Sequence, residues 1–77
     1  MNVRFITTVN VRKGPHISQP ICGKISAGTT VRCQASLDGF DGRIWVSFIG
    51  NSGNLRYACA EDSNGQCYVD DESRARI

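Results

Sequence analysis

Turn-forming residues divide this sequence into pieces too short for any long helix. Lys13-Gly14-Pro15, Ser26-Ala27-Gly28, the Gly39–Gly42 stretch, Gly50-Asn51-Ser52-Gly53-Asn54 and Glu61–Gly65 each break the chain. Glycine and asparagine reach positive φ at low cost, while proline fixes φ and lacks an N–H donor. The intervening segments hold 13 Val and Ile residues against 2 Leu. Stiff β-branched side chains suit a pleated surface better than a helix. Residues 3–12 read as one strand and the start of a second, with further strands over 21–25, 29–33, 43–49, 55–60 and 66–70. Ile21–Ile25 and Thr29–Cys33 read as partners in a hairpin about Ser26-Ala27-Gly28. Residues 34–42 read as a polar loop with Phe40 at its tip, and 71–77 as a frayed polar tail. Five to six short strands at intervals of about 8–12 residues imply an all-β fold, a small barrel or sandwich.

With 77 residues the chain is read as one domain, 1–77, with its core over about 5–71 and a tail over 72–77. A domain of this size buries only about 60% of its unfolded surface, so a cross-link or partner is expected to support it. It has no room for a doubly wound nucleotide-binding fold or a catalytic domain with a lid. No apolar run reaches the roughly 20 residues that span a bilayer. The net charge of +2, with scattered arginines, gives no concentrated basic patch for nucleic acid or membrane. Met1 leads straight into strand-like residues without a leader pattern, as expected of a mature secreted chain.

Cys22, Cys33, Cys59 and Cys67 are separated by 10, 25 and 7 residues, with no C-x-x-C pair. That spacing does not fit a zinc knuckle. An even count in a short β-rich chain reads as two disulfides formed in an oxidising compartment, secreted or at the cell surface.

Val9-Asn10-Val11-Arg12-Lys13-Gly14-Pro15 resembles the opening motif of bacterial-type SH3 (SH3b) domains. Ala27-Gly28-Thr29-Thr30-Val31 fits the turn and second strand that follow it in that family. Cys33-Gln34-Ala35, the glycine-rich loop, Ile44-Trp45 and Cys67-Tyr68-Val69-Asp70-Asp71 resemble secreted SH3-like modules attached to cell-wall lysins of fungi and actinobacteria. The interval between Trp45 and Cys67 is longer than in those modules, and Glu72-Ser73 stands where they carry an aromatic pair. The resemblance implies an SH3-like barrel with a Cys33–Cys67 bridge, which leaves Cys22–Cys59. The local alternative is Cys22–Cys33 with Cys59–Cys67. It also implies a non-catalytic module that binds cell-wall peptidoglycan or a related glycan or peptide. The alternative is a secreted interaction module or self-assembling subunit, using open strand edges.

The residue inventory points away from an enzyme. His16 is the sole histidine and lies in a proline-flanked loop, without a nucleophile elbow or a Cys-His pair. Glu61-Asp62 and Asp70-Asp71-Glu72 read as solvated turns, and Asp62-Ser63-Asn64-Gly65 as turn chemistry lacking the bidentate glutamate of a calcium loop. No cofactor and no metal are expected. Aromatic rings are the better binding candidates, because they offer flat apolar faces with polar handles. Trp45 either lines a groove or packs under the 34–42 loop. Phe40 is either exposed for contact or folded back as a plug. Tyr57 and Tyr68 complete the aromatic set. Asn10 and Arg12 form a polar rim for a ligand in the Gly14–Pro20 loop, or Asn10 bonds the turn and Arg12 pairs with an acidic side chain such as Asp70 or Asp71; His16 is either a solvated loop residue or a ligand contact.

Overall fold

Buried and exposed side chains alternate along the first two strands, Asn2–Arg4 and Val9–Arg12, whereas Trp45 to Phe48 are buried in succession. In the computed structural model, which describes residues 1–77, the order is β1 (Asn2–Arg4), β2 (Val9–Arg12), β3 (Ile21–Ile25), β4 (Thr30–Arg32), β5 (Ala35–Asp38), β6 (Ile44–Ile49), β7 (Leu55–Glu61) and α1 (Asp71–Arg76). A five-stranded antiparallel sheet runs β3-β2-β7-β6-β5, and β1 pairs with β4 in a separate two-stranded sheet. The strand-rich, antiparallel expectation holds, with seven strands in two sheets rather than five to six.

Val9 and Val11 on β2, Ile25 on β3, Val46 and Phe48 on β6, and Ala58 and Ala60 on β7 turn to one interior, joined by Val3, Phe5, Cys33 and Val69. Burying each large apolar side chain contributes about 1.5–3 kcal/mol, so this cluster carries the fold. The β6–β7 hairpin closes through Gly53, whose φ of 84° suits glycine.

The strand expected over residues 29–33 forms, but not as a partner of β3. It pairs with β1 instead, through Asn2↔Arg32, Val3↔Val31 and Arg4↔Thr30. Val3 is fully buried and Val31 packs against the core, so the cost of leaving β3 is met by apolar contact with the N-terminus. The 34–42 segment is not wholly loop, because β5 pairs with β6 from Ala35↔Ser47 to Asp38↔Ile44. The strand expected over 66–70 reduces to two isolated bridges, Glu61↔Cys67 and Phe5↔Val69.

The tail is helical rather than frayed. Asp70 is the N-cap and accepts a hydrogen bond from Ser73 N–H at 2.8 Å. Acidic Asp71 and Glu72 begin the helix and basic Arg74 and Arg76 end it, which suits its dipole. So short a helix needs tertiary support. Buried Ser73 supplies it by accepting from Arg4 N–H at 2.8 Å, and Arg74 pairs with Glu61 at 2.7 Å.

The disulfide framework is corrected: all four cysteines are free. Cys22 on β3 and Cys59 on β7 flank β2, which puts their Cα atoms about two strand spacings apart, near 10 Å. A disulfide spans at most about 7 Å. Cys22 and Cys33 do not face each other, because β3 and β4 belong to different sheets. The Glu61↔Cys67 bridge offsets Cys67 by two residues from Cys59. The thiols are engaged elsewhere: Cys59 donates to Glu61 O at 3.2 Å, Cys67 to Val69 O at 3.4 Å and Cys33 to Val31 O at 3.7 Å. Cys33 is a buried apolar filler, and burial pushes its thiol up to about 11. The support expected of disulfides comes instead from joined termini. Cys33 N–H donates to Met1 O at 2.7 Å, Asp70 N–H to Arg4 O at 3.0 Å, and Ile77 packs on the core.

Candidate functional site

Strand β2 alternates, so Asn10 and Arg12 face away from the interior that Val9 and Val11 fill. On β6 the same rule turns Trp45 to the opposite face from Val46. Register shifts occur between Val11 and Arg12 against β3, and between Ile44 and Trp45 against β7. In each the extra residue sits on the partner strand, Cys22 on β3 and Ala60 on β7, so β2 and β6 keep their alternation. Arg12 and Trp45 line one groove of about 330 Å³, with Thr7, Thr8, Val9, Asn10, Ile17, Arg43, Cys59 and Tyr68.

Arg12 does not pair with Asp70 or Asp71. Its Nη1 donates to the Ile17 carbonyl at 2.9 Å and the Gln19 carbonyl at 3.0 Å. It therefore fixes the 13–20 loop as the groove wall and brings Ile17 into it. Asn10 is exposed on the groove edge rather than bonded into the turn. Tyr68 donates its hydroxyl to Asp62 Oδ2 at 2.9 Å. Burial pushes the phenol above its ordinary range, and the Asp62 hydrogen bond adds to that. Asp62 in turn accepts from Gln66 N–H and Asn64 N–H, both at 2.9 Å, and these bonds hold its carboxyl below the ordinary carboxylate value. The 62–65 segment is a turn, as read from sequence.

Trp45 combines the two roles posed for it. It is 1% exposed, it lines the groove, and it packs under the loop at Gly39. A Cβ on Gly39 would approach Trp45 Nε1 to 3.0 Å, so glycine lets the loop close over the indole. Nε1 is buried without a hydrogen-bond partner. Groups of this kind are uncommon and costly in folded proteins.

Of the residues proposed from sequence, Asn10, Arg12, Trp45 and Tyr68 meet at this groove. Tyr57 lies opposite Arg12 on β7 but does not line it. Phe40 is fully exposed on the tip of its loop and is no plug. His16 is outside the lining; its Nδ1 lies 2.6 Å from Ser18 Oγ and accepts from Ser18 N–H at 3.0 Å. Thr8 and Arg43 were legible by parity with Asn10 and Trp45. Cys59, opposite Trp45, was hidden by the disulfide reading. Ile17 had no local signal, since the Arg12 hydrogen bonds place it.

The groove offers an indole and a phenol ring, hydroxyls, an amide and two guanidiniums, with no carboxylate on its lining. No cluster of three or more His, Cys, Asp or Glu residues is arranged to hold a metal ion.

No protein-family model matches the sequence, and no curated protein does. Solved structures do. The lysostaphin SH3b domain, in its P4-G5 complex, superposes with a TM-score of 0.79 at 26% identity, covering 90% of this chain and 81% of that one. The cell wall targeting domain of the peptidoglycan hydrolase ALE-1 gives 0.75 at 25% identity, covering 90% and 76%. Whole lysostaphin, an antimicrobial peptidase from Staphylococcus simulans, gives 0.76 at 25% identity, and this chain spans 30% of its length. The resemblance to bacterial SH3b domains read from the sequence is borne out.

Proposed function

We propose that this SH3b-type chain is a non-catalytic cell-wall-binding module, and that the groove between β2, the 13–20 loop and Tyr68 takes a peptidoglycan peptide or glycan. The observation that carries this reading is the meeting of Asn10, Arg12, Trp45 and Tyr68 in one groove, in a chain shaped like two cell-wall targeting domains. Half of the groove's 10 lining residues are apolar, and the rest carry hydrogen-bonding side chains. That mixture suits an uncharged or weakly charged polar chain with flat apolar faces. The reading places the protein outside the cell, where such a wall is reached. Support for an extracellular site comes from the neighbours alone, because the free cysteines no longer argue for an oxidising compartment.

Retention on purified cell walls tests the proposal. Wild type is expected in the pellet. Asn10→Ala, an exposed change that should leave the fold intact, is expected to weaken retention roughly three- to tenfold, the worth of one hydrogen bond. No wall material should be solubilised. Failure of wild type to bind any wall preparation would end this reading.

A further inference from the structure

A second and larger groove, of about 600 Å³, opens where β4 leaves β3 for the other sheet. Its walls are β3, β4 and the β6–β7 turn, and its floor includes Val31 and Phe48. Arg32 and Arg56 line it from two different strands, with no acidic residue on the lining; Lys24 on β3 pairs with outward-facing Asn10, so its side chain lies on the other face. None of these cations is in a salt bridge; the chain's ion pairs use Arg43, Arg74 and Arg76. Thr30, Asn51 and Ser52 add groups able to donate. All seven acidic residues fall between positions 38 and 72, so the charge separation is built into the sequence order.

Like charges gathered without counter-charges repel one another, and an anion between them relieves that repulsion. The lining side chains include no group that only accepts, so a ligand made chiefly of acceptors fits best. Guanidinium forks match phosphate oxygens in pairs. The volume is that of a ligand cleft, far beyond one inorganic anion. We propose that this groove binds a flexible anionic polymer with repeating phosphodiester groups, one phosphate near each cation. It is distinct from the groove assigned to wall peptide or glycan, and its residues do not overlap with it.

The experiment is titration of the whole chain with a synthetic poly(glycerol phosphate), read by calorimetry at several salt concentrations. Inorganic phosphate and duplex DNA serve as comparison ligands. Saturable binding is expected, with a slope of log affinity against log salt near −1.4 for two contacts. Arg32→Gln and Arg56→Gln should each reduce affinity roughly tenfold and reduce that slope by about one contact. Lys13→Gln, the same charge change outside the groove, should alter affinity less than about twofold. Circular dichroism of each variant separates lost binding from lost fold. Equal losses from Lys13→Gln and Arg32→Gln would overturn the proposal, as would equal affinity for rigid duplex DNA. Absence of polymer binding by a folded wild type would also overturn it. Wall retention is scored separately, so either groove can fail without the other.

Discussion

The two grooves differ in how far their polar groups are already engaged inside the chain. In the first, Arg12 holds the Ile17 and Gln19 carbonyls and Tyr68 holds Asp62. Its shape is fixed before any ligand arrives, which lowers the ordering cost of binding. In the second, the Arg32 side chain has no hydrogen-bond or ion-pair partner, and that of Arg56 makes only a bond to the neighbouring Leu55 carbonyl, at 3.0 Å. That groove is defined by charge and by the gap between two sheets. The difference teaches that so small a scaffold can present one groove shaped by internal hydrogen bonds and another left to charge.

The strongest way to break the contrast is at the floor of the first groove. Trp45→Ala removes a side chain that is 1% exposed and should cost about 3–5 kcal/mol in denaturant unfolding. A loss below about 1 kcal/mol would mean the floor is not part of the fold. Trp45→Phe deletes the unpartnered N–H and should cost clearly less than Trp45→Ala.

Next is the wall. Arg12→Lys keeps the charge but loses the fork that spans two carbonyls. Amide exchange in the 13–20 loop should quicken and wall retention fall roughly threefold or more, while polymer binding at the second groove stays unchanged. Loss of both would show the grooves to be coupled.

Thiol chemistry gives a smaller but cleaner handle, since Cys59 lines the first groove and Cys22 the second. Denatured protein without reductant should titrate as four free thiols. In the native state exposed Cys22 should alkylate first, and Cys33 last, because burial keeps it protonated to about 11. A bulky adduct on Cys22 should block the polymer and spare wall retention.

The smallest effect is that of acid. Asp62 and Asp70 are held below the ordinary carboxyl value of 3.8, each chiefly by hydrogen bonds, from Gln66 N–H and from Ser73 respectively. Their stabilisation is present in full above the unfolded value and is lost as pH falls through the lower folded values. Thermal midpoints should therefore decline below about pH 4, less steeply in Asp62→Asn and Asp70→Asn. The second groove has no carboxylate, so its polymer affinity should hold until the fold itself gives way.

Much of this was legible in local sequence. The breaks at Gly14-Pro15 and Gly50–Asn54 placed most strands, and the alternation along β6 put Trp45 on the opposite face from Val46. Tyr57 shows the limit. It shares a face with Arg12, yet parity alone does not say how far along a strand a groove extends. The helix was half legible, for Asp70 with the acidic-then-basic run is a capping pattern. What holds it is Ser73 buried against Arg4, 69 positions away.

Sequence by itself determined the strand-rich class, the turn positions and the alternation that sends Val46 and Trp45 to opposite faces, because those follow from backbone propensity and a period of two. Tertiary structure alone decided that β4 would desert β3 for β1, opening the cationic groove. It alone left the cysteines unpaired and shifted register beside Arg12 and Trp45. Those outcomes depend on which distant surfaces bury one another best, and no short stretch of chain encodes that competition.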